Sequence, residues 1–82
     1  MRERIKQTMA SVFGVPAATI PDDAAANEFP EWDSMHHLEL MLALEAEFGE
    51  HISTETIGEL LSFRAIEAYL SVPRRAGRGD EV

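Results

Sequence analysis

The sequence predicts an all-α fold: a four-helix bundle with a long loop between its first two helices and a short third helix. Three observations carry this. Apolar residues recur at helical spacing in separate stretches. No β-type alternation lasts more than a few residues. Gly and Pro fall between the stretches, where helices stop. The 82 residues suit one small domain.

Ile5, Met9, Val12 and Phe13 share one face of a helix that is expected from about Arg2 to Phe13. Gly14 follows as a stop, and Pro16 forbids continuation. Residues 14–33 hold Pro16, Pro21 and Pro30 and read as a loop. Val15, Ile20, Phe29 and Trp32 should pin it to the core. The second helix should run from Ser34 to about Phe48 and end at Gly49, because Leu, Met, Ala and Glu dominate it. A short third helix is expected from Thr54 to Leu61, with Ser53 as its cap and Glu55 in its first turn. A fourth, from Phe63 to about Ser71, should turn Phe63, Ile66, Tyr69 and Leu70 inward and stop at Pro73. The end, "PRRAGRGDEV", is poor in apolar residues and is expected to be a disordered basic tail, residues 73–82.

Net charge is −8, unevenly spread. The basic residues are Arg2, Arg4, Lys6, Arg64, Arg74, Arg75 and Arg78, and eleven carboxylates from Asp22 to Glu59 fall in the gap. In sequence, that middle has no local counter-charge. Such a field repels phosphate backbones and attracts basic surfaces, which argues against nucleic-acid binding. The absence of cysteine excludes a disulfide framework, a thiolate metal site and a catalytic thiol. No stretch approaches the ~20 apolar residues of a membrane helix, and the N-terminus lacks the apolar run of a signal peptide. A soluble cytoplasmic monomer, not membrane-bound, is expected.

At about 100° per residue, Leu40, Met41, Leu44 and Phe48 form the core arc of the second helix. Met35 and Leu42 lie nearly opposite Leu44, and Leu38 bridges the two groups. Glu39 and Glu45 flank the Met35/Leu42 spot, and Ala46 leaves it open. An apolar centre with a charged rim is the anatomy of a transient interface. Packing under the third helix or the long loop would account for either residue alone, but the two together with their acidic flanks favour the interface.

Ser34 has four readings. It is a helix cap, a role that Asp33 fills as well; neither has Glu or Gln three residues on to make a capping box. It is a hydrolytic nucleophile served by Asp33 and His37, which is poor physics because triad partners converge from separate elements. It adjoins a metal site of His36, His37 and Glu39, which is unfavourable because adjacent helical histidines point about 100° apart. His36 falls on the solvent side of the wheel and His37 nearer the core, and His51 is expected at the surface. Or Ser34 is a site of covalent attachment, where a phosphodiester would sit at a helix N-terminus favourable to anions.

The stretch "DSMHHLELMLALEAEFG" resembles the attachment motif of the acyl carrier protein family: Asp-Ser-Leu, then a Leu- and Glu-rich helix ending in Glu-Phe-Gly. "VFGVPAATIPDDAAANEF" is similar to that family's first loop, and "ISTETIGELLSFRAIEAYL" to its third and fourth helices. The resemblance implies a carrier domain over residues 1–72 that is not itself an enzyme. It implies 4′-phosphopantetheine on Ser34, added by a phosphopantetheinyl transferase, with acyl or aminoacyl groups held as thioesters. It further implies acyl-loading and acyl-transfer enzymes whose basic surfaces dock on Asp33, Met35, Glu39, Leu42 and Glu45. Cargo would lie between the second and third helices, near Leu38, Met41, Ile57 and Leu61. His36 and Trp32 depart from the usual pattern, and no Gly-Gly precedes the serine. These features resemble free-standing carriers of specialised pathways. The alternative is an unmodified helical adaptor that binds a partner through the Met35/Leu42 patch.

Overall fold

A computed structural model describes residues 1–72. Among them the chain forms four helices: α1 Arg2–Phe13, α2 Ser34–Phe48, α3 Thr54–Ile57 and α4 Phe63–Ser71. There is no strand among the described residues. A single antiparallel bridge joins Ala25 to Ser62. The all-α class expected from sequence is what the chain adopts. The expected tail at 73–82, and Pro73 as the stop of α4, lie outside the described residues.

α1 and α2 end in the same way and for the same reason. Gly14 and Gly49 take the left-handed conformation, at φ 72° and 65°, which glycine adopts without steric cost. The Gly14 N–H donates to the Ala10 carbonyl at 2.8 Å, and the Glu50 N–H reaches back to the Glu45 carbonyl at 3.1 Å. Orphan carbonyls at both helix ends are thereby satisfied.

α1 packs against both α2 and α4. Ile5, Met9 and Phe13 of α1 meet Leu40, Met41 and Leu44 of α2 and Phe63, Ile66 and Leu70 of α4 in one buried cluster. Tyr69, expected inside, is half-buried against it, as is Phe48. The connection between α1 and α2 is long but anchored. A single 3-10 turn at Ala17–Thr19 leads to buried Ile20, and Trp32 is 1% exposed. The Trp32 ring lies 5.6 Å from that of Phe13. Burying large apolar side chains yields about 1.5–3 kcal/mol each, which holds the loop down.

α3 corrects the sequence expectation: it stops at Ile57, not Leu61. Gly58 is a poor helix residue. The chain beyond it is also needed elsewhere. The Leu61 carbonyl accepts from the Ala26 N–H at 2.9 Å, and the Phe63 N–H donates to the Ala24 carbonyl at 2.9 Å. These bonds require extended backbone around Leu61, so helix cannot persist there. Leu60 is buried by the turn and Leu61 stays exposed.

The acidic middle of the sequence does find counter-charge. Arg2 forks onto Glu67, with Nε 3.0 Å from Oε2 and Nη2 3.1 Å from Oε1, and its Nη1 lies 3.0 Å from Asp22 Oδ2. Lys6 reaches the other oxygen of Asp22 at 2.6 Å, and Arg4 reaches Glu47 at 3.2 Å. Folding therefore brings the N-terminal cations back onto carboxylates 16 to 65 residues away.

Candidate functional site

Ser34 is the first residue of α2 and is exposed. It is not the cap. Asp33, in extended conformation, is the N-cap residue, and its Oδ1 accepts the His36 N–H at 2.9 Å. Asp33 has no Glu three residues on to close a capping box; His36 stands there instead. The His36 ring nitrogen Nδ1 lies 3.1 Å from the same carboxylate oxygen, outside hydrogen-bond geometry. The His36 N–H holds the Asp33 carboxyl below the usual aspartate range. Among the described residues no hydrogen bond engages the Ser34 hydroxyl. It stands at the helix tip, where first-turn N–H groups lack intrahelical partners.

The second-helix patch is open to solvent. Met35 is 70% exposed and Leu42 66%. Leu38, placed between the two groups by the wheel, is 56% exposed and extends the apolar stripe. Core packing accounts for Leu40, Met41 and Leu44, which are buried, but covers neither Met35 nor Leu42. Glu39 is exposed beside the stripe. Glu45 is half-buried, and its Oε2 accepts the Ile52 N–H at 2.7 Å. That bond ties the connection ahead of α3 to α2, a structural duty that the helical wheel could not reveal. His51 is exposed as expected, with Nδ1 3.6 Å from the same oxygen.

Sequence reasoning also missed a hydrogen-bonded chain behind Ser34. The Trp32 Nε1–H donates to His37 Nδ1 at 3.0 Å. The other ring nitrogen, Nε2, lies 2.8 Å from the Ile57 carbonyl at the end of α3. A buried tryptophan needs an acceptor for its N–H, and that need was the one signal available from sequence. Both nitrogens of His37 are thus occupied, so neither is free to act as a base toward Ser34. His36 is half-buried rather than on the solvent side, with its ring edge-on to Phe13 at 6.2 Å. The two histidines diverge, and no cluster of potential metal ligands occurs among the described residues.

A cleft of about 440 Å³ opens beside Ser34, lined by Asn27, Trp32, Asp33, His37 and Leu61. A free, exposed hydroxyl with open space next to it fits a covalently attached arm. Of the four residues expected near cargo, Met41 is buried, Ile57 is half-buried, and Leu38 and Leu61 are exposed. No helix among the described residues is long and apolar enough to cross a membrane.

An all-helical domain with an exposed serine at the start of a partly apolar helix is compatible with the class of carrier modules. The chain matches no family model. A curated protein of Saccharopolyspora erythraea named acyl carrier protein is 35% identical to it over 65 residues, which span 72% of this chain and 68% of that protein. The chain belongs to the acyl carrier protein family. Its role is accordingly that of a carrier.

Proposed function

We propose that this carrier holds acyl or aminoacyl groups as thioesters on a 4′-phosphopantetheine arm esterified to Ser34, and delivers them to enzymes with basic docking surfaces. The carrier domain is residues 1–72, acting as a monomer in the cytoplasm. One observation carries the reading: the Ser34 hydroxyl is exposed and unengaged at the start of α2, while its neighbour Asp33 does the capping.

In the loading step Ser34 Oγ attacks the pyrophosphate linkage of coenzyme A on a phosphopantetheinyl transferase. A phosphodiester forms at Oγ, adenosine 3′,5′-bisphosphate leaves, and the hydroxyl proton passes to the transferase. When bound, the arm supplies the thiol that the thioester requires. The chain supplies presentation. Asp33 fixes the helix start, so the hydroxyl is displayed at a constant angle. Anionic charge added at Oγ meets the positive end of the α2 dipole. Met35, Leu38 and Leu42 offer an apolar contact, and Asp33, Glu39 and the free oxygen of Glu45 attract basic side chains around it.

Treatment with a validated transferase and coenzyme A is expected to add one arm to the intact mass, and Ser34→Ala to add none. An unchanged mass in the unmutated chain would overturn the proposal. The exposed stripe also suits the second reading, an unmodified adaptor. That reading requires partner binding to survive Ser34→Ala and fail with Leu42→Glu, so a pull-down with both variants separates the two. Docking should weaken with salt, since exposed charges are screened beyond ~10 Å at 0.1 M.

A further inference from the structure

His37 has a single protonation state that satisfies its surroundings. The indole N–H of Trp32 is a donor only, so Nδ1 must present a lone pair to it at 3.0 Å. The Ile57 carbonyl is an acceptor only, so Nε2 must carry the hydrogen across 2.8 Å. Both bonds exist together only in the neutral Nε2–H tautomer. The ring is 9% exposed and lies near-parallel to the indole at 6.1 Å.

We propose that His37 is a proton-sensitive latch: neutral, it holds the end of α3 to α2 through Ile57; protonated, it releases α3 and widens the space beside Ser34. A second ring proton would face the indole N–H, donor against donor, and place a charge where solvent barely reaches. A buried charge without a partner is strongly disfavoured. Trp32 cannot yield, since it is 1% exposed and wedged against Phe13. The ring therefore swings into the adjoining cleft and gives up the Ile57 carbonyl. Apart from the packing of Ile57 against the core, few other ties hold α3. It has four residues, and its cap bond, Ser53 Oγ to the Thr56 N–H at 3.2 Å, is internal. Glu45 anchors Ile52, which lies before the helix begins.

The surroundings offer the proton little compensation. From the connection ahead of α2, Trp32 and Asp33 line the cleft with His37; from the middle of the loop, Asn27; from the turn after α3, Leu61. Asp33 is the one charged side chain in that set, and its Oδ1 is engaged by the His36 N–H. The release is a property of the unmodified chain. Only its use, admitting cargo, rests on the carrier reading.

The test uses the unmodified full chain, so a failed latch and a failed loading reaction are distinguishable. Above neutral pH, nitrogen NMR of His37 should show a bare Nδ1 and a protonated Nε2. The pH is then lowered from about 8 until the His37 ring signals report protonation. Trp32 is the one tryptophan, and its indole N–H loses its acceptor when the ring turns away. Its emission should change, and amide exchange at residues 57–60, corrected for intrinsic pH dependence, should rise about tenfold or more with the same midpoint as the His37 ring signals. His37→Gln should abolish the emission step, and His36→Gln and His51→Gln should retain it. The opposite tautomer, exchange at 57–60 that ignores His37 protonation, or the same step in His37→Gln would each overturn the latch. The first two measurements need no variant.

Discussion

Asp33 and Ser34 are neighbours with separate duties, and substitution should separate them. Asp33→Ala removes the oxygen that accepts the His36 N–H, so its melting temperature should fall below that of Ser34→Ala. Ser34→Ala should stay within about 0.5 kcal/mol of the parent, because no bond in the fold depends on the hydroxyl. Equal melting temperatures for the two variants would show that the cap is misassigned. Asp33 also carries a pH signature. Its carboxyl is held below the usual value, so its stabilising contribution is complete above the ordinary aspartate pKa of about 3.9 and is lost as pH falls through the depressed one. Asn still caps but does not titrate there. Asp33→Asn should therefore lose less stability than the parent on acidification below about pH 4, as read by thermal melts.

At the scale of elements, α2 shows two apolar faces with opposite consequences. Leu44 is fully buried, and Leu44→Ala should cost about 2–5 kcal/mol in urea unfolding. Leu42, two residues earlier, is open to solvent, and Leu42→Ala should stay within about 0.5 kcal/mol. The same leucine should nevertheless matter to docking. A large stability loss for Leu42→Ala would mean that the patch is core after all. α3 is the weak element: four residues cannot sustain a helix alone, and its stability must come from tertiary ties. Its amides should exchange faster than those in the middle of α2 even near neutral pH. Equal protection of Ile57 and Leu44 would contradict this.

For the whole molecule, the N-terminal cations act as a clasp. Arg2 links α1 to the loop through Asp22 and to α4 through Glu67, and its guanidinium stands 5.4 Å from the Phe63 ring centroid. Hydrogen bonds from Lys6 and then Arg2 lower the Asp22 pKa, and that from Arg2 lowers the Glu67 pKa. Both carboxylates therefore stabilise the fold above their ordinary values near pH 4, and the contribution disappears as pH falls through the depressed ones. Arg2→Ala should lower the melting temperature at pH 7 and flatten its acid dependence. An unchanged acid slope would show the clasp to be idle. Total stability should be modest, on the order of 3–5 kcal/mol for a core this small without disulfides.

The sequence by itself determined the all-α class, the bounds of α1, α2 and α4, the buried face of α2 and the candidate serine. Each rests on local information: periodicity, glycine stops, and residues one turn apart. It set the Met35/Leu42 spot opposite the core but left open whether another element covers it. Only the tertiary structure decided the rest. α3 ends at Ile57 because Leu61 is drawn into a bridge with the loop, a demand arising about 35 residues away. Asp33 rather than Ser34 caps α2 because the backbone enters extended at Asp33, which residue type does not disclose. The clasp of Arg2 and the bond between His37 and Ile57 join groups distant in sequence, 65 and 20 residues apart. Local patterns report which face of an element is apolar, whereas which polar groups meet across elements depends on how those faces are packed together.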